Sequence, residues 1–220
     1  MFQLIKKEFV LQKKTILFGF IYSIFLFFTF AHPVLKNFTY VMAAFGICYI
    51  IIIGAAQADY KNHSDIILNS FPLTRREIVL SRYLSIFVFS FLAVILTGII
   101  GLFFHMVPQP FTYRLINLND VVVTLVSVMF LAAVSLPAYF KSGAQSIAIV
   151  NIFLFLLIFF APAQIRNYLM NNTQQPWVQS LSYMAREQFW LLSFSGIGAM
   201  LVLFSISYFV SLRIYLNKDF

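Results

Sequence analysis

Six apolar runs, each about as long as a bilayer is thick, leave this chain few ways to fold. They lie at about Thr15–Ala31, Phe38–Ala58, Tyr83–Val107, Val121–Phe140, Ser146–Ala163 and Phe189–Leu212. Roughly 20 consecutive apolar residues carry a helix across the hydrocarbon core. Strands of a membrane barrel would be shorter and alternate in polarity, so the runs predict helices. Only 10% of the residues are charged, against about 25% in a soluble domain, and the connections leave little room for a separate soluble unit. The expectation is an all-α integral membrane protein: one six-helix transmembrane domain spanning residues 1–220.

An even number of spans returns both termini to one side. That side collects Lys6, Lys7, Lys13, Lys14, Lys61, Arg75, Arg76, Arg82, Lys141, Arg213 and Lys218, and the other only Lys36, Arg114, Arg166 and Arg186. Basic residues concentrate on the cytoplasmic face, so both termini are expected there, in a plasma membrane. The net charge of +8 then reflects orientation and anionic headgroups, and nucleic acid is not an expected partner. Thr29-Phe30-Ala31 loosely imitates a signal-peptide cleavage site, but the length of the apolar run favours an uncleaved first span. The single cysteine, Cys48, lies inside the second span and leaves no internal disulfide to form.

What the spans lack is equally informative. None carries Asp, Glu, Lys or Arg away from its ends; Gln57, His105 and Asn151 are the most polar side chains near them. Ion-coupled carriers and voltage sensors keep ionisable groups at membrane depth. An intramembrane protease needs a Ser/His pair, two aspartates or an HExxH metal site. The chain offers neither pattern, and His105 suits an interfacial helix end better than a proton relay. No catalytic or metal-ligating set is expected. A GxxxxGK[ST] phosphate loop is also absent, so energy for any driven work has to come through a partner.

The port for such a partner is the polar interruption between the second and third spans, residues 59–82. Asp59, Lys61, Asn62 and Asp65 open it, with Tyr60, Ile67 and Phe71 at helical spacing. Pro72 ends that turn and holds Phe71 extended. Thr74-Arg75-Arg76-Glu77 then forms a capping box, Thr74 capping a new helix and Glu77 reaching back to it. From Arg75 to Met106 that helix would be about 48 Å long, more than the ~30 Å hydrocarbon core, so its start tilts or projects from the membrane. An ordinary solvated loop rich in positive charge is the plainer reading. Ahead of the first span, residues 1–14 read either as an interfacial helix, with Phe2, Ile5 and Phe9 on one stripe, or as a simple basic anchor.

These residues resemble the ABC-2-type transporter permeases, a family whose smaller members show a "D-x-K-N" stretch leading to "S-hydrophobic-P-hydrophobic-T/S-R-x-E-I-V-x-S-R/K-Y". Here the motif reads Asp59-Tyr60-Lys61-Asn62, then Ser70-Phe71-Pro72-Leu73-Thr74-Arg75-Arg76-Glu77-Ile78-Val79-Leu80-Ser81-Arg82-Tyr83. Leu136-Pro137-Ala138-Tyr139-Phe140-Lys141-Ser142-Gly143 resembles the family's "LP-x-Y/F-F-K-x-G", and the C-terminal Ser211–Phe220 resembles its usual ending. Permeases of phenol-soluble-modulin exporters are among the similar proteins. The resemblance implies an ABC-2-type exporter permease fold in a bacterial cell membrane. The chain would be a non-catalytic half-transporter, paired with a second copy or a sister permease. Two separate ATP-binding-cassette subunits would bind the ATP and Mg. It also implies an ATPase-coupling role for Asp59, Lys61, Asn62, Asp65, Arg75, Arg76 and Glu77, with Phe71, Pro72 and Thr74 at the joint.

Pro137 is a hinge candidate in the fourth span, although termination of the helix before Lys141-Ser142-Gly143 is the simpler expectation. Pro162 is a second hinge candidate, marking a break at the outer end of the fifth span. The external segment 164–188 suggests interfacial helices, and an aromatic belt accounts for Trp177 and Trp190 equally well. A charge-poor interior with 28 Phe in the chain suits an amphipathic or hydrophobic cargo, though most of those rings should simply face lipid or pack between helices. Two functions remain: the permease of an ATP-driven exporter, with cytotoxic peptides as one candidate cargo, and a non-transporting scaffold, sensor or immunity protein docking a cytoplasmic partner through the same loop.

Overall fold

Local signals decide where the helices start and stop. The computed structural model describes residues 2–31, 36, 38–62, 74–108, 112–180 and 189–218, and every regular element among them is a helix. They are α1 (Phe2–Leu11), α2 (Lys13–Thr29), α3 (Thr39–Lys61), α4 (Arg75–His105), α5 (Leu118–Asn171) and α6 (Phe189–Leu216), with a further short helical stretch at 176–180. The capping box at the head of α4 is present: Glu77 N–H donates to the Thr74 hydroxyl at 3.3 Å, and Thr74 N–H donates to the Glu77 carboxylate at 2.9 Å. Asp120 does the same service for α5, accepting from the Asn117 N–H at 2.9 Å. Each thereby satisfies backbone donors that a helix start leaves open.

α3, α4, the Leu118–Lys141 arm of α5 and the Phe194–Leu216 part of α6 are each long and apolar enough to cross a membrane. α2 has 17 residues, and Ile149–Ile158 is a shorter apolar helix in the second arm of α5. α3 runs further than the sequence suggested. Asp59, Tyr60 and Lys61 form its last turn and do not begin a separate loop helix.

The fourth and fifth apolar runs also differ from expectation. Helical residues run from Leu118 to Asn171, 54 in all, through Lys141-Ser142-Gly143 and Pro162, so no extended connection separates the two runs. A straight rod of that length would measure about 81 Å, far beyond a bilayer. Contacts show instead that the chain doubles back. Tyr139 donates to Asp59 at 2.9 Å, at one end of α3. Further along, Phe155 lies 4.8 Å from the Tyr49 ring and 6.1 Å from Phe45, back toward the other end of α3. A straight path would have carried Phe155 about 24 Å past Asp59. α5 is therefore two antiparallel arms that reverse between Phe140 and Val150. Proline inside a membrane helix costs one N–H bond but does not by itself end the helix, because neighbours can satisfy the freed group.

α3 is the central helix, with 13 of its 23 residues buried. It approaches α2 at glycines. A Cβ on Gly46 would lie 2.3 Å from the Tyr22 ring, one on Gly54 would lie 2.8 Å from Thr15, and one on Gly19 would lie 3.3 Å from Ile47. Water cannot drive helix association inside lipid, so small residues that let backbones close up take over that task. Ala44, Ile47, Cys48 and Ile51 of α3 meet Val79, Ala93, Leu131 and Ala132 from α4 and α5 in the larger core cluster. A smaller aromatic cluster at the other end joins Phe27, Tyr40, Phe104 and Tyr113.

Candidate functional site

The first turns of α4 sit where four other helices converge. Arg75 opens the helix and donates through Nη1 to three backbone carbonyls at the end of α6: Tyr215 at 3.1 Å, Leu216 at 2.8 Å and Lys218 at 3.1 Å. A helix C-terminus leaves carbonyls unpaired and carries partial negative charge, so a guanidinium there is doubly suited. Two turns on, Arg82 points into the bundle. Its side chain is 13% exposed and forms ion pairs with both Glu8 of α1 and Asp59 of α3. Tyr139 of α5 completes the group: its hydroxyl donates to Asp59, accepts from Arg82 Nη2 at 3.3 Å, and its ring lies 5.3 Å from the guanidinium carbon. One guanidinium thus ties α1, α3 and α5 to α4 in a region largely shielded from solvent, where fully hydrogen-bonded charge is tolerated and stranded charge is not. A cavity with room for about one water adjoins Arg82, Glu8 and Tyr139.

Tyr83, the next residue, faces the other way. Its hydroxyl lies 2.7 Å from Ser207 Oγ and 2.8 Å from Ser211 Oγ on α6. Ser207 in turn donates to the Ala133 carbonyl of α5 at 2.7 Å. Pro137 explains that last bond. Lacking an N–H, it cannot bond the carbonyl four residues back, which is that of Ala133. Ser207 supplies the missing donor from a neighbouring helix. Since each hydroxyl has a single proton, the chain must run from Ser211 to Tyr83 to Ser207 to the Ala133 carbonyl. The Pro137 position is therefore a weak point in α5 held by α6.

The sequence-derived coupling residues fall into distinct settings. Lys61 and Asn62 are exposed at the end of α3, Asn62 N–H closing the helix on the Ala58 carbonyl at 3.0 Å. Thr74 and Arg76 are exposed, and Glu77 and Arg75 are half-buried. Asp59 is 6% exposed and belongs to the Arg82 group, so it faces the bundle and not the solvent. Asp65, Phe71 and Pro72 lie outside the described residues. Pro137 lies inside α5, and the backbone remains helical through Pro162.

Several members of the site escaped the sequence reading. Glu8 is the single acid ahead of Asp59, and Arg82, Tyr83 and Tyr139 stand within the motifs, but nothing in their spacing shows which helix each one faces. Ser207 and Ser211, four residues apart on α6, carried a readable signal: two hydroxyls on one helical face.

The opposite end of the bundle is latched separately. Arg114 makes two hydrogen bonds of 2.7 Å to the Asp120 carboxylate, and that pairing, chiefly the hydrogen bond, pushes the Arg114 pKa above its usual value. Tyr40 donates to the Arg114 carbonyl, Tyr113 donates to the Phe27 carbonyl at 2.7 Å, and His105 Nδ1 donates to the Tyr113 carbonyl at 2.7 Å. Tyr40 reaches that position only because residue 101 is glycine, where a Cβ would lie 2.2 Å from its hydroxyl. Asn151 is fully buried, and neither of its amide atoms has a hydrogen-bond partner among the described residues. Among the described residues no three His, Cys, Asp or Glu side chains come together as metal ligands.

Residues 3–216 match the family described as ABC-2 family transporter protein. No curated protein and no solved structure matches the chain. The family match covers all the helices that converge on Arg82 and Tyr83, and the apolar helices are those of a multi-pass membrane protein. The chain belongs to the ABC-2 transporter family.

Proposed function

We propose that this chain is the permease subunit of an ATP-driven exporter, moving an amphipathic or hydrophobic cargo outward; cytotoxic peptides are one such class. The observation that carries the reading is the wiring of the α4 start. Arg75 and Tyr83 bind it to α6, Arg82 binds it to α1, α3 and α5, and Ser207 carries the connection on to the Pro137 weak point in α5. A push on the segment before Thr74 would reach almost the whole bundle through fixed hydrogen bonds and ion pairs, with Pro137 as the hinge. In this reading Lys61, Asn62 and Arg76 meet the ATPase, Asp65, Phe71 and Pro72 belong to the pushed segment, and Thr74, Arg75 and Glu77 join it to α4. Asp59 receives the motion inside. Pro162, within an unbroken helix, has no part.

In this reading the chain would cross six times, the two α5 arms counted separately, and both termini would lie on the Asp59 side. Lys61, Arg75, Arg76 and Lys218 lie at that end and Lys36 and Arg114 at the other, which supports a cytoplasmic Asp59 end in a bacterial plasma membrane. Two permease subunits would work with two ATP-binding-cassette subunits, and ATP and Mg would be held there, where hydrolysis occurs. Cross-linking tests the reading. With Arg76→Cys in the chain co-expressed with its ATP-binding-cassette partner, the cross-link to the ATPase should form and change in yield between nucleotide-free and ATP-trapped states. A cross-link indifferent to nucleotide favours a docking scaffold; its absence refutes the port.

A further inference from the structure

Between α2 and α3, on the outer surface of the bundle, an open groove of about 370 Å³ begins at the Asp59 end and runs toward the middle of the helices. That volume falls within the roughly 300–1,000 Å³ of ordinary ligand clefts. Lys14 and Gln57 stand at its mouth; Phe18, Tyr49, Ile50 and Ile53 form its walls. From Gln57 to Tyr49 the groove follows α3 for about 12 Å. Its polarity is sorted by depth: a cation and an amide at the interface level, aliphatic and aromatic side chains above them. No acid lines it. Asp59, the carboxylate nearest in sequence, is turned inward and paired with Arg82, and Lys13, next to Lys14, is exposed and adds to the positive mouth.

We propose that this groove is a binding site for one anionic phospholipid. Its phosphate would sit on Lys14 and Gln57, and an acyl chain would lie along Phe18, Ile53, Ile50 and Tyr49. The charge sorting selects this occupant. A neutral apolar segment of another chain would gain nothing from a lysine and an amide at the mouth, whereas a lipid with a net negative headgroup matches both ends of the groove at once. The site is independent of the transport reading and requires only that α2 and α3 cross the membrane.

The test titrates the full-length protein in neutral detergent with phosphatidylglycerol or phosphatidylcholine and counts bound lipid by native mass spectrometry. Phosphatidylglycerol should occupy one site per chain ahead of phosphatidylcholine. Lys14→Gln should lower that preference roughly fivefold, as expected for one basic contact. Ile53→Trp, which fills the groove, should remove the site for both lipids while leaving the melting curve of the lipid-free protein in place. Equal binding of the two lipids, or a preference untouched by Lys14→Gln, overturns the proposal. So does a Trp variant whose lipid count is unchanged but whose oligomeric mass shifts, since the groove would then be a contact between copies.

Discussion

Replacing Ser207 by Ala should destabilise the protein in a way that depends on Pro137. In the native chain Ser207 is the donor that takes over the Ala133 carbonyl, at 2.7 Å, because Pro137 has no N–H. Ser207→Ala leaves that part-buried carbonyl without its donor; a fully buried group left unpaired costs about 1–3 kcal/mol in proteins generally. Side-chain hydrogen bonds in membrane bundles average nearer 0.6 kcal/mol with a maximum of about 1.7. Tyr83 keeps Ser211 as a partner at 2.8 Å, so its own loss is partial. A cost of about 1–2 kcal/mol follows. In a Pro137→Ala background the residue 137 N–H can bond the Ala133 carbonyl within the helix, and Ser207→Ala should then cost about 0.5 kcal/mol or less. The cycle would give a coupling of about 1 kcal/mol, above the ~0.3–0.5 kcal/mol scatter of independent sites. Reversible unfolding of the four proteins in mixed micelles with increasing SDS measures it. Additive effects, with coupling inside that scatter, would show that Ser207 does not compensate for the proline.

Arg82→Met strands Glu8 and Asp59 and should cost about 3–5 kcal/mol in the same unfolding assay, while adding Glu8→Gln and Asp59→Asn should recover most of it. Gly101→Ala places a methyl against Tyr40, and should lower stability by about 1–3 kcal/mol and free the 112–117 connection for faster proteolysis. Asn151→Leu removes a buried amide with no partner among the described residues, so the variant should melt at or above the parent temperature; a loss of more than about 1 kcal/mol would mean the amide is satisfied.

The helices themselves were legible because lipid forces every span to be a long apolar run, and the head of α4 was legible because a capping box is a local pattern of four residues. The limits lay where tertiary contacts decide. Asp59 carries a charge and follows Ala58 in a polar stretch, so by sequence it belongs to water; only Arg82, reaching it from another helix, makes its burial affordable in free energy. Lys141-Ser142-Gly143 suggested a helix end, yet the two α5 arms turn with almost no intervening loop, and no periodicity distinguishes a tight reversal from a stop. Pro137 was legible as a hinge candidate because its missing N–H is visible in the sequence, whereas the serine that supplies a donor in its place is 70 positions away. Arg75 and Arg76 looked interchangeable as neighbouring cations. One closes the end of α6 and the other is exposed.

That difference between adjacent arginines gives the most direct test of coupling. Arg76→Glu changes an exposed charge and leaves the α6 contacts of Arg75 in place, so the chain should still fold and insert. ATP hydrolysis stimulated by cargo, measured in proteoliposomes holding the whole complex, should fall at least tenfold while basal hydrolysis remains. Stimulated turnover equal to the parent in Arg76→Glu, and again in Arg76→Glu with Lys61→Glu, would contradict the claim that the ATPase drives this bundle through the head of α4.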